Sequence, residues 1–299
     1  MDVLASIRSA SDLVTITDNE EELVKVLQQA GLLATCMLCE KCGRFMTLKS
    51  TKRANSCKWV CIKTRSCPGN ECTVRTGSIF NNSTLSLGQL MRVVFAWARN
   101  TKLEFAAADS GTSRKTAGKW YQILRKLSAD HVFHHQNQIG GEGCVVELDE
   151  SVVTKRKYHR GRMSYNNQVW VFGGICRETR DIFVEIVEKR DRATLHNLIV
   201  THVRPGTTIM TDCWRSYNGL SLHGFIHQSI NHSQYFIHPE DPTVHTQNIE
   251  NVWRWLKPFL REKGTNRAGL MEYIREYEVK RRNDDTFLTI LNIIKIAQS

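Results

Sequence analysis

Two aspartates and a glutamate stand where apolar runs stop or start. Asp149 follows the strand-like run CVVEL, Asp212 follows TIMT, and Glu250 lies just inside the start of a helical stretch, HTQNIENVWRWLK. Each has an ordinary explanation, because acids often end strands and suit the positive end of a helix. Together they fit one chemistry. Two divalent cations about 4 Å apart activate a water or a 3′-hydroxyl and stabilise the leaving oxygen of a phosphodiester. Mg²⁺ takes hard carboxylate oxygens and few protein ligands. Two strand-end aspartates and one helix-borne glutamate make such a set. Asp149, Asp212 and Glu250 are therefore the candidate catalytic residues and the candidate ligands of two Mg²⁺ (or Mn²⁺) ions.

A second group is made of thiols. Seven of the ten cysteines fall in CMLCEKCGRFMTLKSTKRANSCKWVCIKTRSCPGNEC, residues 36–72. Cys39 and Cys42 form a CxxC followed by Gly43, the form of a zinc knuckle, and Cys61 and Cys67 supply a second half. Four thiolates around one tetrahedral Zn²⁺ fold a segment too short and polar to build its own core. Within the cluster the choice stays open. Cys36 is an alternative to Cys39 or Cys42, and Cys57 or Cys72 to a partner in the second half.

The elements that must position these groups are legible in outline. Residues 19–34 have the pattern of an amphipathic helix with acids in its first turn. Helical segments follow around Leu87–Arg99 and Arg114–Leu127. Residues 103–126 give a short helix, a Gly-centred turn and a second helix that Ser113 is placed to cap. That second helix carries Arg114, Lys115, Lys119, Arg125 and Lys126, with Trp120, Ile123 and Leu124 for packing. This is the outline of a helix-turn-helix, whose second helix enters the major groove of DNA. Ile139–Gly143 (IGGEG) is polar and glycine-rich and reads as a linker. Beyond it, Cys144–Leu148, Gln168–Ile175, Ile182–Val187 and Thr208–Thr211 read as strands, and Ala193–Val203 as a helix. The strand–strand–strand–helix–strand order is that of an RNase H-like fold. Glu147 and Glu150 flank the first aspartate, and alternation along a strand is expected to point its immediate neighbours elsewhere. In the last helix Ile249, Val252, Trp253 and Leu256 form the buried stripe, while Glu250, Arg254, Lys257 and Arg261 lie along another face. Pro258 removes a hydrogen bond from that helix and leaves the reach of Arg261 open.

The residues that carry a family resemblance are CEKCGRFMTL, WVCIKTRSC, VRTGSIF, ELDES, KYHRGR, QVWVFGGICRET, TDCWRSY and HTQNIENVWRWLK, in that order over about residues 30–283. With them the chain resembles the transposases of the Merlin superfamily and their bacterial insertion-sequence relatives. The resemblance implies a zinc ribbon, a helix-turn-helix and an RNase H-like DDE core. It implies Mg²⁺-dependent excision and integration of a DNA transposon, with recognition of its terminal inverted repeats. On it, Asp149, Asp212 and Glu250 match the catalytic triad, His245 and Asn248 match the polar positions leading into the glutamate, and Lys257 matches a lysine often found there. Synapsis of two DNA ends implies a homodimer or larger homo-oligomer.

Composition agrees with a polyanionic partner. The 299 residues carry a formal net charge of +11, and the surplus is concentrated: residues 1–35 have net −4, 36–80 net +7, 81–134 net +5 and 135–299 net +3. The run KRKYHRGRM (155–163) leaves directly after Asp149, so Lys155, Arg156, Lys157, Arg160 and Arg162 are expected to contact DNA flanking the cut, along with Arg114, Lys115, Lys119, Arg254 and Lys257. His227, His232 and His238 have spacings that fit no zinc motif and are read as structural or DNA-facing. No apolar run reaches the roughly 18–20 residues that span a bilayer, and the N-terminus lacks the pattern of a signal peptide. The expected chain is a multidomain α/β protein that is not secreted, nuclear in a eukaryote and otherwise in the cytoplasm or nucleoid. Its expected order is an N-terminal helical segment (1–35), a zinc ribbon (36–82), a helix-turn-helix (83–134), an RNase H-like mixed-sheet core (143–283) and an apolar tail (284–299). A transposase-derived, sequence-specific DNA-binding protein that no longer cuts is the alternative function.

Overall fold

The computed structural model of the chain describes residues 2–51, 57–135, 137–153, 168–230, 245–263, 269–282 and 285–298. The basic run at 155–163, and His232 and His238, lie outside the described residues. The protein is a mixed α/β structure with two sheets, and its chain divides into two compact units, Met1–His131 with Asn283–Ser299, and Val132–Arg282.

The first unit opens with α1 (Asp2–Ala5), α2 (Ala10–Thr17) and α3 (Glu20–Gln29), of which the sequence pattern finds only α3. A capping box starts α2: Ser9 Oγ accepts the Asp12 N–H, and the Asp12 carboxylate accepts the Ser9 N–H. The α3 helix starts on Asn19, with Glu20, Glu21 and Glu22 in its first turn. Next comes an antiparallel three-stranded sheet, β1 (Thr47–Ser50), β2 (Cys57–Cys61) and β3 (Asn70–Thr73). Then follow α4 (Leu87–Ala98), α5 (Leu103–Asp109) and α6 (Arg114–His135).

Gly111, at φ 62°, turns the chain between α5 and α6, and Ser113 Oγ accepts the Thr116 N–H at 3.1 Å to start α6. The inward stripe of α6 is Ala117, Trp120, Tyr121, Leu124 and Ser128. Arg125, one turn after Tyr121, falls on that stripe and is buried, so it is not part of the exposed basic face. Ile123, expected to pack, is exposed instead. Arg114, Lys115 and Lys119 are exposed. The apolar tail forms α10 (Thr286–Ile296) and packs on α4, with the Phe287 and Phe95 rings edge to face at 5.2 Å.

The second unit is built on a five-stranded sheet of order β6-β5-β4-β7-β8. Its strands are β4 (Val145–Val152), β5 (Trp170–Cys176), β6 (Ile182–Val187), β7 (Thr208–Asp212) and β8 (Ile226–Ile230). The β4, β5 and β6 strands form an antiparallel meander; α7 (Arg192–His202) then leads to β7, which runs parallel to β4 and to β8. The edge strand β8 escaped the sequence reading because IHQSI buries only Ile230 and shows no apolar alternation. Val146 and Leu148 enter one core with Leu195 and Ile199 of α7. Val171, Ile175 and Val184 enter the other with Ile249, Val252, Trp253, Leu256 and Leu260 of α8 (Gln247–Glu262), together with α9 (Leu270–Arg282). The α8 stripe is the one read from the sequence, and the helix runs on through Pro258.

The linker-like stretch Ile139–Gly143 is anchored at its first residue. Ile139 is buried, bridges to Val203, and donates its N–H to His202 O at 2.8 Å. An apolar residue ahead of four polar or glycine residues was too short a signal to mark this contact.

Gly173 in β5 lets α8 lie close on the sheet. A Cβ at Gly173 meets Phe183 O and Trp253 Cη2, each at 2.7 Å. One of these is backbone of the paired strand and cannot yield, so Gly173→Ala is expected to cost about 1–3 kcal/mol. Urea denaturation of the full chain measures it; an unchanged midpoint for the transition of the second unit contradicts this packing.

Candidate active site and cysteine cluster

Asp149 is not at a strand end. It is the fifth of eight residues in β4, because pairing with β5 continues to Val152↔Trp170. Asp212 is the last residue of β7. The parallel β4–β7 ladder ends at Glu147↔Met210, two residues before each aspartate, so the two acids stand at the same level where the ladder stops. Trp253 of α8 donates its indole Nε1–H to Asp149 Oδ2 at 2.9 Å. Burial pushes the Asp149 carboxyl up to about 7, and the charges of Glu150 and Asp212 add to that push. Asp212 Oδ1 accepts the Trp214 N–H at 2.9 Å.

Glu250 is exposed in the first turn of α8, with Thr246 Oγ1 at 3.4 Å from its carboxylate. It shares with Asp149 an open groove of about 460 Å³, also lined by Ser151, Trp253, Arg254, Lys257, Pro258 and Arg261. Arg261 thus reaches the same groove although Pro258 precedes it. The three carboxylates are not drawn into one knot: among the described residues, Asp149, Asp212 and Glu250 do not bring one oxygen each within 4.8 Å of one another. Ligands that share two ions about 3.5–4 Å apart span more than one coordination shell, so a wider set suits a pair of cations.

Two further carboxylates were not assigned a role by the sequence. Glu147 is two residues before Asp149 and therefore shares its face of β4, contrary to the expectation that it points elsewhere. Its side chain is fully buried. It accepts the backbone N–H groups of Asn248 at 2.7 Å and Ile249 at 3.0 Å, Asn248 Nδ2 at 2.7 Å and Arg177 Nε at 2.7 Å. Thr246 gives α8 no side-chain cap, so a strand residue a hundred positions away caps the helix instead. The helix-end role first considered for Glu250 is filled by Glu147. His245 and Asn248 belong to this clamp: Arg177 donates to His245 O at 2.8 Å, and Arg180 donates to Asn248 Oδ1 at 2.8 Å. They support the turn that carries Glu250.

Glu150 does face the other way, where Tyr217 donates its hydroxyl to it at 2.6 Å. Burial raises the Glu150 carboxyl, with Asp212 adding to the effect, and its Oε1 has no hydrogen-bond partner among the described residues. Arg190, stacked at 3.6 Å over the Trp170 ring, is a cation close enough to oppose that shift. Half-buried acids of one sign with an unpartnered oxygen make a site that favours a divalent cation. His227, by contrast, meets Thr211 Oγ1 at 2.9 Å beneath the strand.

In the first unit, Cys39, Cys42, Cys61 and Cys67 bring all four sulfurs within 4.8 Å of one another. Sulfur pairs lie at 3.9 Å (Cys39–Cys67), 3.7 Å (Cys42–Cys61) and 3.8 Å (Cys61–Cys67). Four ligands at about 2.3 Å from one tetrahedral ion are separated by about 3.8 Å, so the cluster is compatible with zinc. Gly43, at φ 69°, returns its N–H to Cys39 O at 2.8 Å and closes the knuckle. The Arg44 side chain donates to Cys42 Sγ and lowers that thiol to about 6. Cys36 and Cys72 stand outside the four, and Cys57 is buried apart from them at the start of β2.

The second unit thus joins a mixed sheet to a groove that carries Asp149 and Glu250 beside Arg254, Lys257 and Arg261, and the first unit holds a four-thiol cluster; sequence comparison gives the class. Residues 138–280 match the family model described as ISXO2-like transposase domain. A transposase-like protein of Haemophilus influenzae is 29% identical over 105 residues, which is 35% of this chain and 83% of that protein. These two matches support a transposase. Among solved structures, the chain is similar to one in the simian T-cell lymphotropic virus intasome in complex with PP2A regulatory subunit B56 gamma, at 12% identity and a TM-score of 0.32. That likeness covers 62% of this chain and 66% of the other. The Mos1 strand transfer complex is similar at 7% identity and a TM-score of 0.21, over 64% of this chain and 75% of the other. Both structural likenesses are too distant to bear on mechanism.

Proposed function

We propose that the chain is a cut-and-paste DNA transposase of the Merlin kind, with an RNase H-like DDE core in its second unit. The observation that carries this reading is the meeting of strand and helix: Asp149 and Asp212 at one level of the parallel β4–β7 pair, and Glu250 lining the same groove as Asp149. Asp149, Asp212 and Glu250 would hold two Mg²⁺ or Mn²⁺ ions, which when bound supply activation of the attacking oxygen and stabilisation of the leaving one. Trp253 fixes the Asp149 carboxylate, and Glu147 fixes the turn that presents Glu250. Arg254, Lys257 and Arg261 edge the groove and would grip the phosphates beside the cut. Cys39, Cys42, Cys61 and Cys67 would hold one structural zinc, and the exposed Arg114, Lys115 and Lys119 of α6 would meet the terminal inverted repeats in the major groove.

The test is incubation of the full chain with Mg²⁺ and duplexes bearing the element's own ends. Cleavage at those ends and joining to a target duplex are expected. Specific binding with no metal-dependent cutting would instead identify a DNA-binding derivative, and cutting without preference for the ends would identify a general nuclease.

A further inference from the structure

A second thiol cluster lies in the second unit, and neither the catalytic groove nor the ribbon uses it. Cys144 immediately precedes β4, Cys176 ends β5, and Glu178 sits in the hairpin turn that leads to β6. One ligand atom from each of the three falls within 4.8 Å of the other two. Cys176 Sγ is 3.3 Å from Glu178 Oε2, which also accepts the Val145 N–H at 2.9 Å. Ligands at about 2.3 Å for sulfur and 2.0–2.2 Å for oxygen on a tetrahedral ion stand about 3.6 Å apart, close to this separation. Asp149 is five residues along β4 from Cys144, about 16 Å away, so the triad cannot share its ion.

We propose that Cys144, Cys176 and Glu178 form a three-ligand site for a thiophilic divalent cation of the zinc class, with a fourth position left for water. The chemistry is selective: two thiolates with one carboxylate favour Zn²⁺ over Mg²⁺. Arg177 and Arg204 lie near enough to the cluster to offset the surplus negative charge of such a complex. The ion ties the start of β4 to the β5–β6 turn. That turn also delivers Arg177 and Arg180 to the start of α8, so the site braces the clamp beneath Glu250.

The experiment is zinc counting on the full chain, purified in a thiol-free reductant and titrated with Zn²⁺ against a chromophoric chelator. About two zinc ions per chain are expected for the wild type, and about one for Cys176→Ser, with far-UV circular dichroism unchanged. The double variant Cys39→Ser/Cys61→Ser should lose the other ion and keep this one, which separates the two sites. If Cys176→Ser does not fold, Cys144→Ser and the exposed-site variant Glu178→Gln carry the same measurement. A stoichiometry unchanged by Cys144→Ser and Glu178→Gln overturns the proposal, as does a wild type whose zinc is all lost with the ribbon cysteines.

Discussion

Glu147→Ala is expected to unfold or loosen the second unit more than removal of any member of the acidic triad. The substitution leaves the Arg177 guanidinium without its carboxylate and exposes two uncapped N–H groups at the start of α8. Breaking a buried, hydrogen-bonded ion pair by deleting one partner costs about 3–5 kcal/mol. The lost cap is part of that penalty rather than an addition to it. Glu147→Gln keeps the shape and one acceptor oxygen, so it should fold while setting α8 slightly out of place. A misplacement near 1 Å costs on the order of 100-fold in rate. Strand transfer by Glu147→Gln should therefore fall by about that factor, with DNA affinity retained. Denaturation of Glu147→Ala and strand transfer by Glu147→Gln measure the two effects. A wild-type midpoint for the alanine variant would remove Glu147 from this role.

Zinc removal should have an equally large effect in the first unit. The three strands of the ribbon have four, five and four residues, and the buried cluster around Trp59 consists chiefly of the cysteines themselves. So small a core cannot offset the chain entropy of folding. Structural zinc sites contribute about 10–16 kcal/mol of apparent binding free energy at neutral pH, and that is folding free energy. Cys61→Ser, or a strong chelator, should abolish hydrogen-exchange protection over β1–β3 while the five-stranded sheet keeps its own. DNA binding should weaken with it, since nine basic residues lie in the 36–80 block. Full protection of β1–β3 in metal-free protein contradicts a zinc-dependent ribbon.

The fold is most legible in the sequence where apolar periodicity is strong. The α8 stripe, the β6 boundaries and the cysteine spacing follow from local pattern, because burial and ligation leave marks on adjacent residues. Local pattern carries no mark where a partner is distant or a signal is short. The Glu147 cap joins residues about a hundred positions apart, and its own sequence context is just another acid in a strand. Apolar residues stop at Asp149, which marks a strand end by local pattern, but β4 continues on the strength of its pairing with β5. Tyr217 and Glu150 meet only through the fold. Residue type groups Arg125 with the basic face of α6, whereas helical phase puts it inside.

The central claim is that Asp149, Asp212 and Glu250 act as one metal-dependent site. The most direct measurement is strand transfer by Asp149→Ala, Asp212→Ala and Glu250→Gln with Mg²⁺ and with Mn²⁺, at DNA concentrations that saturate binding. Each variant should bind the element ends as the wild type does and lose at least about 1,000-fold in joining, because residues that act as a unit fail together. Joining at the wild-type rate by any one of the three would take that residue out of the site.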